Sequence, residues 1–148
     1  MIPFGREIIT EELIEELLPL LEYHHKEIMP YPDVVVNIDK EKYLTMEKLG
    51  LARCFIARDD GKIVGYNNFI VSEHIHYRQH VQALCDVMFI DPKFRNGTGM
   101  KFIKWCDKQL FEEGVSEIHY TVQAKLDYSS ILERMGYIQH ARVFTKRR

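Results

Sequence analysis

The chain has 148 residues, 46% of them hydrophobic and 28% charged, and a formal net charge of -2. This length predicts a single domain, residues 1–148, large enough to bury a core without staples. The near-neutral charge argues against a general affinity for nucleic acid or anionic membrane. No apolar run is long enough to span a membrane, and the first residues, Met1 to Arg6, do not look like a signal peptide.

The three cysteines, Cys54, Cys85 and Cys106, are widely spaced, and two of them lie inside apolar runs. An odd number at this spacing indicates neither a disulfide framework nor a zinc site. We therefore expect reduced core thiols in a cytoplasmic protein.

The first third of the chain is predicted to be helical after a short strand within residues 2–9. Thr10 is a good N-cap, and it is followed by acidic residues and then by apolar residues at helical spacing. Pro19 lies inside that apolar stripe and predicts a kink or a break. A second helix is expected to begin after Asp39 and to end at Gly50.

The middle of the chain is rich in predicted strands. Ala52 to Arg58 and Ile63 to His76 are strands joined by a tight turn, Asp59-Asp60-Gly61-Lys62. A turn near Arg78 to His80 leads to the next strand, Val81 to Ile90, whose mostly apolar sequence predicts burial on both faces.

A loop with two glycines follows that strand and precedes a helix that ends at Gly114. Its sequence is Asp91-Pro92-Lys93-Phe94-Arg95-Asn96-Gly97-Thr98-Gly99. Glycines let backbone N–H groups turn toward an anion, and the free amides of the first helical turn add the positive end of the helix dipole. The loop therefore predicts a phosphate site. It lacks the spacing of a dinucleotide fingerprint and the ending of a P-loop, so an ordinary glycine turn is the alternative.

The remaining elements complete a mixed α/β sheet with one parallel crossover. Ser116 to Val122 is a predicted strand, and Asp127 caps a short helix, Tyr128 to Met135, which Gly136 ends. Tyr137 to Lys146 is the last predicted strand. The order β-α-α-β-β-β-α-β-α-β belongs to the α/β and α+β layer architectures.

This order, together with the glycine loop, resembles the GNAT family of N-acetyltransferases over nearly the whole chain. Gly97-Thr98-Gly99 is similar to the family's Gly-x-Gly/Ala, whose amides hold the pyrophosphate of acetyl-CoA. Arg95 falls one residue closer to the glycines than the family's Gln/Arg, and Phe94 stands at that position. The segment Ile131 to Tyr137 is similar to the family's Leu-Tyr-Glu-Lys-Leu-Gly-Phe. Leu132 stands where many members carry the tyrosine that protonates the leaving thiolate.

The resemblance implies a GNAT-like acyl-CoA N-acyltransferase fold with a mixed six- to seven-stranded sheet and about four helices. It implies acetyl-CoA as cosubstrate, a primary amine of a small molecule or protein as acceptor, direct transfer, and no metal. The backbone of Met88, Phe89 and Ile90 would face the pantetheine arm. The loop would hold the cofactor through Phe94, Arg95, Asn96, Gly97, Thr98, Gly99 and Met100. The acceptor would enter over the residues from Tyr23 to Pro32.

Asp86 is the most informative acid because it interrupts an apolar strand. The preceding hairpin is expected to place residues 73 to 76 opposite it, so that His74 or His76 pairs with Asp86 and relays a proton from the amine. A structural buried pair is the alternative. The spacing of these histidines matches no common metal site. The segment His74 to Tyr77, with Asp86, is also similar to phage-encoded members, which implies the host cytoplasm.

Tyr128 precedes Leu132 by one helical turn and is the candidate to replace the missing tyrosine, with simple packing as the alternative. His24, His25 and Glu27 look like acceptor-site residues under the resemblance, or else form a solvated helix end. Two other functions stay open, an acyl-CoA-binding protein without transferase activity and a protein-interaction module. A homodimer is compatible with each of these functions.

Overall fold

The computed structural model describes residues 1–148 and contains one five-stranded sheet with helices packed on both faces. The strands are β1 (Phe4–Glu7), β2 (Ala52–Asp59), β3 (Lys62–His74), β4 (Tyr77–Ile90) and β5 (Glu117–His119). The helices are α1 (Glu11–Ile28), α2 (Lys40–Lys48), α3 (Thr98–Glu112) and α4 (Ser129–Arg134), with short 3-10 helices at Pro92–Phe94 and Ala124–Leu126. No helix combines the length and the apolar character needed to cross a membrane.

Local sequence signals account for most of the element boundaries. The side chain of Thr10 accepts a hydrogen bond from the Leu13 amide at 3.2 Å, and Asp39 accepts one from the Lys42 amide at 3.0 Å, so both predicted N-caps are confirmed. Asp60 and Gly61 both have positive φ, 44° and 80°, as the tight turn between β2 and β3 requires.

The strands lie in the spatial order in which they occur in the sequence. β1 to β4 pair antiparallel, and β5 joins β4 in parallel after the α3 crossover. One face of the sheet packs on α3 through a cluster that includes Phe55, Phe69 and Phe102. The other face packs on α1 and α2 through a cluster that includes Tyr66 and Phe89.

Two expectations about the elements are wrong, and a third is wrong in part. The sheet has five strands and not six or seven, because the residues from Tyr137 to Lys146 form no strand and, after Tyr137, make no backbone hydrogen bond. The turn before β4 is at Ile75-His76 and not near Arg78 to His80. Of the kink or break expected at Pro19, the break does not occur, and α1 continues through the proline because the apolar face on both sides of it is buried against the sheet.

Candidate functional site

A gap opens in the sheet between β4 and the residues after β5. The two strands pair only over Gln82–Leu84 and Glu117–His119, whereas β4 continues to Ile90. Backbone groups of a strand alternate between its two edges, so about half of those from Cys85 to Ile90 point into the gap without a strand partner. The gap is therefore the place where an extended ligand can pair with the β4 backbone, including that of Met88, Phe89 and Ile90.

A small cavity of about 50 Å³ lies in this gap. Residues of three segments line it, namely α1 (His24, Ile28), β4 (Cys85, Asp86, Val87, Met88) and the chain after β5 (Thr121, Gln123, Leu126, Tyr128). The gap thus brings together Asp86 and Tyr128, which the sequence predicts as catalytic, and His24, which it predicts in the acceptor site.

Asp86 lies at a β-bulge in β4. Asn68 pairs with Val87 and Phe69 pairs with Cys85, so Asp86 is the extra residue of β4 at this point. Its side chain is exposed rather than buried, and the expectation that this strand is buried on both faces is wrong here and at Leu84. The bulge turns the carboxylate out of the sheet and toward α2.

Two side chains hold the carboxylate of Asp86. The Tyr43 hydroxyl, from α2, donates a short hydrogen bond to Oδ2, and the Asn68 amide donates a second at 3.3 Å. Oδ1 of Asp86 makes no hydrogen bond and is left for a ligand. Sequence reasoning missed both partners, because neither follows a catalytic motif and α2 buries none of its residues.

The expected pairing of Asp86 with His74 or His76 does not form. The register places residues 68 and 69 opposite Asp86, and His74 pairs with Tyr77 at the far end of the hairpin. His74, His76 and Tyr77 form an exposed aromatic cluster there, with ring centroids 4.7 to 6.5 Å apart. The hairpin turn is two residues long, which shifts the histidines away from the bulge.

Tyr128 lines the gap from the chain after β5. It is partly buried, and burial raises the pKa of its phenol, so the hydroxyl stays protonated at neutral pH. Leu132, by contrast, is buried in the core and presents no group to the gap.

The loop after β4 leaves three backbone amides without an acceptor. Gly97 has a φ of 79°, in the left-handed region, and α3 begins immediately after it. The amides of Thr98, Gly99 and Met100 make no hydrogen bond to other protein groups, and a Cβ placed on Gly99 would point into open space. This geometry suits a phosphate, because free amides and the helix dipole meet at one point.

Arg95 is directed away from those amides. Its guanidinium donates to the Ile90 carbonyl oxygen at 2.8 Å and to Glu27 on α1 at 2.7 Å, and it lies 5.5 Å from the centre of the Phe89 ring. It therefore joins the end of β4 to α1. Phe94 packs against the core cluster beside α3, which leaves the glycines and their neighbours as the open part of the loop.

His24 is one of three buried polar residues and is 6% exposed. Its Nδ1 lies 2.7 Å from the Tyr66 hydroxyl, and its ring packs on Phe89 at 4.9 Å between centroids. Burial, as the main cause, lowers its pKa to about 4, so the imidazole is neutral at pH 7. His25, the next residue, is bonded instead to the Val34 carbonyl at 2.6 Å.

A larger cavity of about 510 Å³ lies along the opposite side of the end of α1. Its walls are one face of α1 (Glu22, His25, Lys26, Met29), the loop before α2 (Tyr31, Pro32 and Val34 to Val36) and Lys125. It covers much of the region where an acceptor is expected to enter.

The cysteines are unsuited to nucleophilic catalysis. Burial raises the pKa of the Cys54 thiol to about 12 and raises those of Cys85 and Cys106 further, so all three stay protonated. They are free thiols, as expected from their spacing. No three His, Cys, Asp or Glu side chains are grouped as metal ligands.

Comparisons with known proteins place this geometry in context. The family model described as "Protein of unknown function (DUF1999)" matches residues 48–144. No curated protein matches the sequence.

Solved structures of several acetyltransferases share the fold. An aminoglycoside acetyltransferase, meta-AAC0020, from an uncultured soil metagenomic sample, in complex with sisomicin, is 18% identical with a TM-score of 0.75, covering 99% of this chain and 97% of that one. A ribosomal-protein-alanine N-acetyltransferase from Brucella melitensis biovar Abortus 2308 is 15% identical, with a TM-score of 0.77 and the same coverage. A predicted acetyltransferase with acetyl-CoA from Clostridium acetobutylicum is 11% identical, with a TM-score of 0.72, covering 99% and 96%. The chain therefore has the GNAT acetyltransferase fold, as its sequence predicts.

Proposed function

We propose that this chain, which belongs to the DUF1999 family of proteins of unknown function, is an acetyl-CoA-dependent N-acetyltransferase. One observation carries the proposal. The gap between β4 and β5 contains a cavity lined by an acid and a protonated phenol, and β4, which borders the gap, leads into three free amides at the start of α3. The thioester, at one end of acetyl-CoA, would lie in the gap. The pyrophosphate, further along the cofactor, would bind the three amides.

The amides of Thr98, Gly99 and Met100 are the proposed contacts of the pyrophosphate, with Asn96 and Gly97 shaping the approach. Oriented N–H groups and the helix dipole stabilise an anion there. The dipole alone contributes roughly 0.3–1 kcal/mol. The pantetheine arm would lie along the unpaired edge of β4, where its amide groups replace the absent strand.

Asp86 is the proposed proton acceptor for the incoming amine. An amine of ordinary pKa is charged at neutral pH and must lose a proton before it can attack the thioester. Oδ1 of Asp86 is open to a ligand while Tyr43 and Asn68 hold Oδ2. A carboxylate held in this way attracts an ammonium and can pass its proton to water.

Tyr128 is the proposed donor to the leaving thiolate. Its phenol is protonated at neutral pH and faces the same cavity as Asp86. Leu132 is buried and carries no hydroxyl, so the hydroxyl of Tyr128 takes the role that the resemblance assigns to a tyrosine one helical turn later.

The amine of the acceptor is proposed to enter the gap beside Asp86, and the body of a larger acceptor to extend toward the 510 Å³ cavity beside α1. The structural relatives include one bound to sisomicin and one named for a ribosomal-protein alanine, so both small amines and protein N-termini belong in a test.

Titration calorimetry with acetyl-CoA, followed by assay of thiol release with a panel of aminoglycosides, polyamines and peptides, tests the proposal. We expect micromolar binding and thiol release with at least one amine. Binding without any thiol release would favour an acyl-CoA-binding protein, whereas no heat at millimolar acetyl-CoA would overturn the cofactor assignment.

Replacing the proposed base makes the assignment specific. Asp86→Asn should lower kcat by about 100-fold, a typical general-base contribution, with the Kd for acetyl-CoA unchanged. Asp60→Asn, the same change in the distant turn between β2 and β3, is the matched control. Equal turnover in the Asp86 and Asp60 variants would reduce Asp86 to a structural role.

A further inference from the structure

Acetyl transfer removes two protons from the amine nitrogen, and the groups assigned so far account for only one of them. The ammonium loses its first proton before attack, and the nitrogen carries a second surplus proton once the C–N bond has formed. One proton must also reach the departing sulfur. Asp86 accepts the first proton and Tyr128 donates to the sulfur, so the second proton on nitrogen needs another acceptor.

His24 is the remaining titratable side chain that lines the same cavity with Asp86 and Tyr128, apart from the protonated thiol of Cys85. We propose that Nε2 of His24 accepts the second proton of the amine after attack and returns it to Tyr128. This inference rests on the proposed acetyltransferase function.

The orientation of the imidazole supports this role. Nδ1 is engaged by the Tyr66 hydroxyl at 2.7 Å, and the ring is held against Phe89. Nε2 has no hydrogen-bond partner in the protein, and it is not sealed inside the core, unlike Oδ1 of Asn68. A buried histidine that lines a cavity, with one nitrogen fixed and the other unpaired, is arranged to meet a ligand atom.

The charges around His24 favour its neutral form overall. Glu27 on α1 favours the imidazolium, but burial, Arg95 and His25 oppose it, and burial is the largest of these effects. The Tyr66 hydroxyl contacts it from the sheet, and Tyr128, just before the last helix, and Asp86 line the same cavity. The resting state is therefore a free base ready to accept a proton.

The reaction begins with attack by the neutral amine. The amine nitrogen forms a bond to the thioester carbon and the carbonyl electron pair moves to oxygen. Nε2 of His24 takes the proton from the resulting ammonium, directly or through one water. The C–S bond then breaks, its electron pair leaves with sulfur, and Tyr128 protonates the thiolate.

The final step restores both side chains. The imidazolium of His24 gives its proton to the phenolate of Tyr128. This step is downhill, because burial lowers the pKa of His24 to about 4 and raises that of Tyr128. A weak base is adequate for the earlier step, since an ammonium attached to a tetrahedral carbon bearing oxygen and sulfur is more acidic than a free one.

The test compares variants of the full-length protein in the thiol-release assay, with acetyl-CoA affinity measured by calorimetry. We expect His24→Asn and His24→Gln to lower kcat about 100-fold at unchanged Kd for acetyl-CoA, within the usual range for proton transfer. Tyr66→Phe, which frees Nδ1, should lower kcat about 5- to 10-fold. His140→Asn, in the exposed C-terminal segment, is the control.

Chemical rescue separates catalysis from folding. Imidazole added to His24→Ala should restore thiol release in proportion to its neutral fraction, so the rescued rate should rise through pH 6 to 8. A structural role for His24 predicts no such dependence. If the asparagine variant does not fold, Tyr66→Phe and the rescue experiment still decide the question.

The outcomes distinguish this inference from the proposed function. If the wild type is active and the His24 variants keep a rate within 3-fold of the wild-type rate, the role of His24 is overturned and the proposed function is not. The same conclusion follows if imidazole does not restore the lost activity. A wild-type protein that binds acetyl-CoA and releases no thiol with any amine overturns both. Loss of turnover with rescue by neutral imidazole supports both.

Discussion

At the scale of single residues, burial sets the protonation state of the side chains around the gap. His24 is neutral because its ring is buried against Phe89 and Tyr66. Burial also raises the pKa of the Tyr128 phenol, which stays protonated. Asp86 is exposed and held by hydrogen bonds instead. The same cavity is therefore lined by an exposed acid, a neutral imidazole and a protonated phenol.

The buried imidazole also predicts how stability depends on pH. The folded pKa of His24, about 4, lies below the ordinary value of 6.5, so the unfolded chain binds the proton more readily and stability falls as the pH is lowered through this window. Relative to His24→Asn, which cannot titrate, the wild type should lose up to about 3 kcal/mol between pH 6.5 and pH 4. Urea denaturation at a series of pH values measures this difference, and parallel curves for the two proteins would contradict the burial argument.

At the scale of elements, the connection from β4 to α3 has two structural roles in seven residues, 91–97. Arg95 ties the loop to α1 and to the end of β4, while Gly97 turns the chain so that the first amides of α3 face outward. The left-handed φ of Gly97 is what lets α3 begin without a side chain over those amides.

Gly99→Ala separates binding from stability within this element. Alanine is favoured over glycine in a helix by about 0.5–1 kcal/mol, so the variant should be slightly more stable. Its methyl group points into the open space beside the free amides and should raise the Kd for acetyl-CoA at least about 10-fold. Gly5→Ala in β1, where a Cβ also meets no neighbour, is the control and should bind normally. Unchanged affinity of Gly99→Ala would place the phosphate site elsewhere.

Gly65 of β3 pairs with Ile90 at the end of β4, where the two strands approach each other closely. A Cβ at this position would lie 2.4 Å from Cδ1 of Ile90 and 2.9 Å from the Phe89 carbonyl oxygen. Gly65→Ala should therefore lower the free energy of unfolding by about 1–3 kcal/mol, as overpacking typically does. Denaturant titration beside Gly5→Ala measures the effect, and equal midpoints for the two variants would show that the end of β4 can shift at little cost.

At the scale of the whole molecule, the C-terminal segment connects distant parts of the chain without joining the sheet. The Tyr137 hydroxyl donates to Asp107 on α3 at 2.7 Å, and the His140 ring packs against His119 of β5. Arg147 makes a two-pronged contact with Asp33, at 3.1 and 2.7 Å, and lies 4.2 Å from the centre of the Tyr31 ring. The end of the chain thereby holds the loop that borders the larger cavity.

Arg147→Ala should loosen that loop with little change in global stability. The ion pair is exposed, so its loss should cost less than about 1 kcal/mol. Amide hydrogen exchange should become faster in residues 31–36 and stay the same in β2 and β3, because only the loop loses its contact. Arg148→Ala, which changes the neighbouring arginine, is the control, and equal exchange in the two variants would show that the loop is held by its own contacts.

The sequence by itself determined the features that depend on neighbours along the chain. The caps at Thr10 and Asp39, the turn at Asp60-Gly61 and the glycine loop before α3 each arise from a few adjacent residues, so their signals survive without knowledge of the fold. The order of most helices and strands followed from these signals and from hydrophobic spacing, and the acetyltransferase fold followed from the family resemblance of that order and of the glycine loop.

Only the tertiary structure decided the composition of the candidate site. A two-residue turn at Ile75-His76 and a bulge at Asp86 set the register of β3 and β4, and a shift of a few residues moved His74 and His76 to the opposite end of the hairpin. The burial of His24, and the contact of Tyr43 with Asp86, depend on how α1 and α2 pack across the sheet. The register follows from where the turn and the bulge fall in the paired strands, and the packing follows from long-range contacts, so the sequence around Asp86 contains neither.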